Sequence, residues 1–302
     1  MQRGCGTAYS LRHSRPPRNF MPASLRPRFT VAALALASLV TTAAFGQTTP
    51  AAPPAPEPDW TFTGNLGLYS QYVFRGISQT NEKPAVQGGF DLGHKSGFYV
   101  GTWASNISWI SDGTSGQPPG STASASIEWD WYGGYKGSLP ADFGYDLGVL
   151  YYWYPGTYPL GYVVPNTTEL YAALTWKFLS LKYSYSANNK TFGIPGSRGS
   201  DYIDLTANYD VIDKVNDVIG KITLTAHVGH QRFKGETHGV NVTHSNGDLS
   251  YTDWKVGASS EIYGLTVGIY GTGTNAQDAL YTNPYGKNLS KNQFVGFIQK
   301  TF

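Results

Sequence analysis

The sequence predicts an all-β fold, a transmembrane antiparallel up-and-down β-barrel of about twelve strands. Three observations carry this reading. Strand-length segments alternate apolar with polar residues, the links between them alternate in length, and the composition is rich in aromatics but poor in charge. Of the 302 residues, 15% are aromatic, 36 are glycine and only 14% are charged, against roughly 25% charged in ordinary soluble domains. The mean hydropathy of −0.29 is too low for a bundle of apolar helices. Beyond the leader, no stretch approaches the roughly 18 consecutive apolar residues that mark a membrane helix.

The alternation is explicit in the text. Ile222, Leu224, Ala226 and Val228 interleave with Lys221, Thr223, Thr225 and His227. Ile203, Leu205, Ala207 and Tyr209 interleave with Tyr202, Asp204, Thr206 and Asn208. Leu170, Ala172, Leu174, Trp176 and Phe178 interleave with Glu169, Tyr171, Ala173, Thr175 and Lys177, and Trp254, Val256 and Ala258 with Asp253, Lys255 and Gly257. Successive side chains on a strand point to opposite faces, so each segment has one apolar and one polar wall. The segments are 60–78, 83–94, 97–110, 122–137, 141–154, 167–179, 180–189, 201–212, 219–233, 250–262, 264–275 and 291–302.

Short links fall at His94–Gly97, Gly137–Pro140, Leu179–Ser180, Asp213–Val218 and Tyr263–Gly264. Longer Gly-, Pro-, Asn- and Ser-rich stretches lie between them at 111–121, 155–166, 190–200, 234–249 and 276–290. The first link, 79–82, is short and breaks the rhythm. Short periplasmic turns and long outer loops are the expected pattern of a membrane barrel, and an even strand count puts both termini on the periplasmic side. Trp129, Trp131, Tyr135, Tyr145, Tyr151, Trp153, Trp176, Phe178, Tyr183, Tyr185 and Tyr263 sit near segment ends or on apolar faces. Rings that are half apolar and half wet belong at the headgroup level. A soluble sandwich also uses alternating aromatics, but seldom this many segments with one short/long rhythm.

The ends of the chain point the same way. Arg26 and Arg28 precede an apolar run, Val31–Val40, followed by small residues, which reads as an export signal cleaved after Gly46. Ten apolar residues are too few for the roughly 20 of a spanning helix. Residues 1–46 are therefore expected to be a signal peptide with an extended start, Met21 being an alternative initiator. Residues 47–59 read as a Pro/Ala-rich periplasmic linker, and 60–302 as the barrel. Removing the six arginines of residues 1–46 leaves 16 basic against 20 acidic residues, so the net charge of +2 becomes −4 and no nucleic-acid partner is implied. Cys5, the single cysteine, lies in the leader, which excludes disulfides and Cys-ligated zinc from the body. At the other end, Phe294, Gly296, Ile298 and Phe302 share one parity in the run KNQFVGFIQKTF. Phe294, Ile298 and Phe302 thus resemble the C-terminal signal read by the barrel-insertion machinery. Lys300 stands where an aromatic is commoner.

The runs GLYSQYVFRGISQT and PAVQGGFDLGHKSGFYVGTWASN, within residues 67–106, resemble the TorF family of porins. The resemblance extends through GIYGTGT at 268–274 to the last strand. It implies a barrel in the outer membrane of a Gram-negative bacterium with a channel role. It implies no substrate and no catalytic residue.

If apolar positions face lipid, the opposite parity faces the lumen. That assigns Arg75, Asp91, Glu128, Asp130, Asp146, Glu169, Lys177, Lys182, Asp204, Lys221, Asp253, Lys255 and Glu261 to the interior. These charges either line water and set ion preference, or pair with one another and plug a narrow barrel. Acids outnumber bases among them, which favours cations. The function expected is a porin-like channel for passive diffusion of small ions or hydrophilic solutes. The alternative is a plugged structural barrel, or a receptor or adhesin with ligand-binding loops. Expected partners are outer-membrane lipid and lipopolysaccharide, the insertion machinery, and small solutes. No cofactor, metal or enzymatic activity is expected. His227 and His230 have opposite parity and cannot share a metal from a regular strand, His238 and His244 fall in a loop, and no HExxH or GxSxG motif occurs.

Overall fold

In the computed structural model, residues 58–116, 121–235, 237–239, 242–244 and 246–302 are described. The signal-peptide and most of the linker expectations, and the loop positions of His238 and His244 as side chains, lie outside them. Twelve strands close into one antiparallel barrel. Numbering the barrel strands alone, these are β1 (Trp60–Tyr69), β2 (Ala85–His94), β3 (Phe98–Asn106), β4 (Ile127–Leu139), β5 (Phe143–Trp153) and β6 (Thr167–Trp176). The circuit continues with β7 (Leu179–Ser186), β8 (Asp201–Ile212), β9 (Ile219–Arg232), β10 (Tyr251–Ile262), β11 (Leu265–Thr274) and β12 (Gln293–Thr301). Each strand pairs with its sequence neighbours, and β1 pairs with β12 from Asn65↔Thr301 to Tyr69↔Phe297 to complete the ring. Closure pairs each strand on both sides over the length of the seam, as hydrocarbon demands of a spanning sheet.

The alternation in sequence becomes an inside and an outside. Phe62, Leu66 and Leu68 of β1, Leu147 and Val149 of β5, and Val228, Val256 and Ile269 of β9–β11 are all exposed on the outer wall. A soluble protein would bury such a surface; here it is the lipid-facing wall. Rings crowd toward both rims. Phe98 meets Tyr135 and Phe178 meets Tyr209 at the end that carries the termini. Trp129 stacks on Trp131 at the opposite rim.

Links at the terminal end are tight. β10 and β11 are joined by Tyr263 and Gly264, whose φ values of 50° and 70° are those of the mirror-image turn that suits a strand pair's twist. Links at the other end are long and fold over the barrel. They bury Ile107, Ile110, Tyr154 and Ile194. One carries a short helix, Trp109–Gly113, within the span that the alternation had divided between strand and loop.

The first link corrects the sequence reading. The segment 60–78 is not one strand and 79–82 is not a short link. β1 ends at Tyr69, and residues 70–84 turn into the barrel mouth, carrying a small hairpin that pairs Val73 with Ser78 and Phe74 with Ile77. With this change the short/long rhythm runs unbroken around the barrel.

Candidate functional site: a lumen narrowed by an inward hairpin

The hairpin is held by its tip. Arg75 and Gly76 form the turn with φ of 45° and 79°. A side chain on Gly76 would collide with Thr274 Cγ2 and lie 2.9 Å from Asp253 Cβ, so the backbone rests against β10 and β11 and only glycine fits. Arg75 reaches across the barrel. Its Nη2 donates to Glu169 Oε2 at 2.7 Å and its Nη1 to Gln231 Oε1 at 2.6 Å. Its guanidinium lies over the Tyr202 ring, 4.1 Å from the centroid. The Arg75 and Glu169 side chains are only 8% and 3% exposed, so this is a buried pair, and Glu169 Oε2 also accepts from Tyr152 OH at 3.2 Å.

Further ties fix the hairpin to the wall. Tyr72 OH donates to Glu128 Oε1 at 2.7 Å. Gln71 Nε2 donates to the Phe294 carbonyl, and Gln293 Nε2 to that of Gly76. Glu82 makes ion pairs with Lys287 and Lys291 at 2.8 and 2.9 Å, clamping the base of the hairpin to the last long loop. Burial alone would raise the Glu82 pKa, but hydrogen bonds and charge from the two lysines outweigh it and hold the carboxyl below its ordinary value.

The hairpin separates two cavities. The one toward the terminal end has a volume of about 240 Å³ and is lined by charge: Arg75, Lys182, Asp204, Asp253 and Lys255, with His227 among them. His227 Nε2 lies 3.1 Å from Asp253 Oδ2 and its Nδ1 3.8 Å from Asp204 Oδ1. Tyr202 OH donates to Asp253 Oδ1 at 2.9 Å. The second, toward the loops, has a volume of about 550 Å³, and most of its described lining is aromatic or aliphatic, with Ser78, Gln79, Gln231, Thr282 and Asn283 among it.

Most residues assigned to the lumen by parity lie on its wall. Tyr132 OH donates to Asp91 at 2.7 Å, and Tyr99 OH to Asp146 at 2.6 Å. Tyr99 also hydrogen-bonds Tyr171, and Lys182 lies over the Tyr171 ring at 4.1 Å. Glu128 and Asp130 are buried side by side in alternation on β4, and Asp130 Oδ1 has no hydrogen-bond partner among the described residues. Lys255 lies over Tyr270 at 5.5 Å. Lys221 and Glu261 keep inward parity but sit at the terminal mouth, where Lys221 pairs with Asp210 at 3.3 Å with about two-fifths of each side chain exposed and Glu261 is exposed. Two placements differ from the expectation. Lys177 is not in the lumen: β6 ends at Trp176, and Lys177 forms the exposed turn with φ of 54°, its amine over the Trp176 ring. Arg75 is in the lumen, but from the hairpin tip rather than from a strand. Of the three C-terminal aromatic and aliphatic positions, Phe294, Ile298 and Phe302 all face outward, as their shared parity requires.

Parity reasoning passed over Gln231, Tyr72, Tyr202 and His227 as partners of the charges. Tyr202 and His227 do stand opposite apolar neighbours in the alternation. Nothing in the sequence marks Tyr72, which belongs to the misread hairpin.

Fold and site together define a transmembrane β-barrel whose charged lumen is narrowed by its own first loop. The chain belongs to the bacterial protein family of unknown function Gcw_chp, which matches residues 53–302. Comparison with curated proteins finds no match. Among solved structures the chain is similar to the KdgM porin, with a TM-score of 0.44, 8% identity, and coverage of 80% of this chain and 99% of that one. It is similar to the NanC porin at 0.44 and 14%, covering 80% and 98%. It is also similar to LpxR from Salmonella typhimurium at 0.39 and 8%, covering 80% and 99%.

Proposed function

We propose that this chain is a porin-like channel of the bacterial outer membrane, passing small ions or hydrophilic solutes by passive diffusion through a lumen that the hairpin 70–84 constricts. The observation that carries the reading is the sorting of side chains. Charge lines the interior, around a cavity of about 240 Å³, while the outer wall is a continuous belt of exposed aliphatic and aromatic residues. A barrel of this kind spans a membrane and offers polar groups only along its axis. The resemblance to the TorF family supports the same reading, as does the export signal, which would deliver the chain to the periplasm. Lipid and lipopolysaccharide would then contact the outer wall. The insertion machinery would read the last strand through Phe294, Ile298 and Phe302.

Interior carboxylates at Asp91, Glu128, Asp130, Asp146, Glu169, Asp204 and Asp253 outnumber Arg75, Lys182 and Lys255. The pore should therefore prefer cations. Single-channel recording of the refolded protein in a planar bilayer tests both points. Discrete conductance steps and a reversal potential on the cation side in a salt gradient are expected; a trace indistinguishable from the protein-free bilayer would remove the channel reading.

A second reading has one specific observation in its favour. The hairpin is tied to the wall by a buried ion pair and several hydrogen bonds, as in a plugged structural or receptor barrel. On that reading the native barrel is silent in the bilayer, and Arg75→Ala is the variant that begins to conduct.

A further inference from the structure

The polar cavity beside the hairpin tip is balanced in charge. Arg75, Lys182 and Lys255 line it with Asp204 and Asp253, and Glu169, the partner of Arg75, brings the carboxylates level with the cationic side chains. We infer that this cavity is a binding station for a small zwitterion, a solute carrying a carboxylate and an ammonium group on a short backbone, as an α-amino acid does. The inference rests on the channel reading for the solute's route and names the class of solute.

The class follows from which charged atoms are already answered. Asp253 is answered twice: its Oδ1 accepts from Tyr202 OH at 2.9 Å, and its Oδ2 lies 3.1 Å from His227 Nε2. Arg75 is answered by Glu169 and Gln231. Asp204 is answered on one side only, where Thr206 Oγ1 donates to its Oδ1 at 3.2 Å. Asp204 Oδ2 and the amines of Lys182 and Lys255 have no hydrogen-bond partner among the described residues, and none of the three is among the partnerless atoms sealed inside the protein. The open groups of this cavity are therefore two cationic donors and one anionic acceptor.

Strand register sharpens the point. Lys182 on β7 stands directly opposite Asp204 on β8, a placement in which opposite charges ordinarily join. Here each is drawn to another neighbour: the amine lies over the Tyr171 ring at 4.1 Å, and the carboxylate turns to Thr206. An ammonium and a carboxylate are thus held apart across a cavity. An anion entering it would answer the lysines and leave Asp204 unanswered beside it, and a cation would do the reverse. A zwitterion meets a counter-charge at both ends, which repays its lost hydration: Lys182 and Lys255 take the carboxylate oxygens, and Asp204 Oδ2 takes the ammonium. The volume of about 240 Å³ falls below the roughly 300–1,000 Å³ of drug-sized sites, which limits the solute to a small side chain. Small cations still carry the current, because a zwitterion carries none.

L-Alanine tests the inference against two relatives of nearly its shape. L-Alaninamide keeps the ammonium and lacks the carboxylate; L-lactate keeps the carboxylate and has a hydroxyl in place of the ammonium. Saturation-transfer NMR on the full chain, folded in detergent micelles, measures binding without requiring conduction. L-Alanine should bind saturably and about tenfold more tightly than either relative, the worth of one charge-assisted hydrogen bond. Lys182→Met should weaken L-alanine binding but not that of L-alaninamide. Asp204→Asn should weaken L-alanine binding but not that of L-lactate. Heat-modifiable gel migration checks that both variants fold, and the ligand series on the native chain decides the matter without them. Equal affinity for the three solutes, or no saturable L-alanine signal, would overturn the inference whatever the barrel conducts. Selective L-alanine binding by a barrel that is silent in planar bilayers would uphold the site and remove the channel reading alone.

Discussion

Arg75 is the residue on which the lumen turns. Its charge is buried at the hairpin tip against Glu169, and removing one member of such a pair strands the other, at a cost of about 3–5 kcal/mol. Glu169→Ala should therefore loosen the hairpin and raise single-channel conductance; an unchanged conductance would mean that the tip does not limit flow. Gly76→Val should act similarly, since its side chain has no room against Thr274 and Asp253. The base of the hairpin responds to acid instead. The Glu82 carboxyl is held below its ordinary pKa by Lys287 and Lys291. Its contribution is thus complete above the unfolded-state value of about 4.3 and is lost as pH falls through the lower folded value. Amide exchange across residues 79–83 should accelerate over that acid window and lose this pH dependence in Glu82→Gln. This clamp escapes sequence reading, because its partners lie about 200 positions apart and surface ion pairs leave no periodic mark.

At the scale of the element, the strands were legible and the inward hairpin was not. Period-two alternation located all twelve barrel strands, because lipid on one side and a polar lumen on the other impose opposite chemistry on adjacent residues. Residues 70–78 misled that reading because Tyr72 and Phe74 continue the parity of Leu66 and Leu68. A lumen packed with rings rewards the same residues as a lipid-facing strand. Lys177 misled it at the other boundary: it follows Glu169 and Thr175 in parity but lies just past the strand end. Burial of Arg75 against Glu169, Gln231 and Tyr202 required the fold, since three separate strands supply the partners. Two predictions belong to this scale. Val149 sits mid-strand on the outer wall, and Val149→Arg should cost about 2–4 kcal/mol in reversible unfolding from lipid. The β1–β12 seam depends on Gly64, over which the Phe90 and Phe302 rings pack; a Cβ there would lie 2.5 Å from Phe302 Cε2. Gly64→Val should lower the yield of folded barrel, read as loss of the heat-modifiable band, whereas an undiminished yield would show that the seam tolerates displacement of Phe302.

At the scale of the molecule, three layers share one axis: a hydrocarbon-facing wall, a charged lumen, and a first loop that folds back to divide that lumen into a polar cavity and an apolar one. The division explains why a chain with a small net charge carries so many buried ionisable groups, since they answer one another across the barrel rather than facing solvent. The central claim is that ions pass along this axis and that residues 70–84 set the narrowest point. Paired single-channel recordings test it most directly: the native chain against one in which residues 72–79 are replaced by a short Gly-Ser link, both refolded and inserted into planar bilayers. The account predicts discrete, cation-favouring steps from the native chain and markedly larger steps from the shortened one. Equal conductance in the two, or no steps from the native barrel, would contradict it.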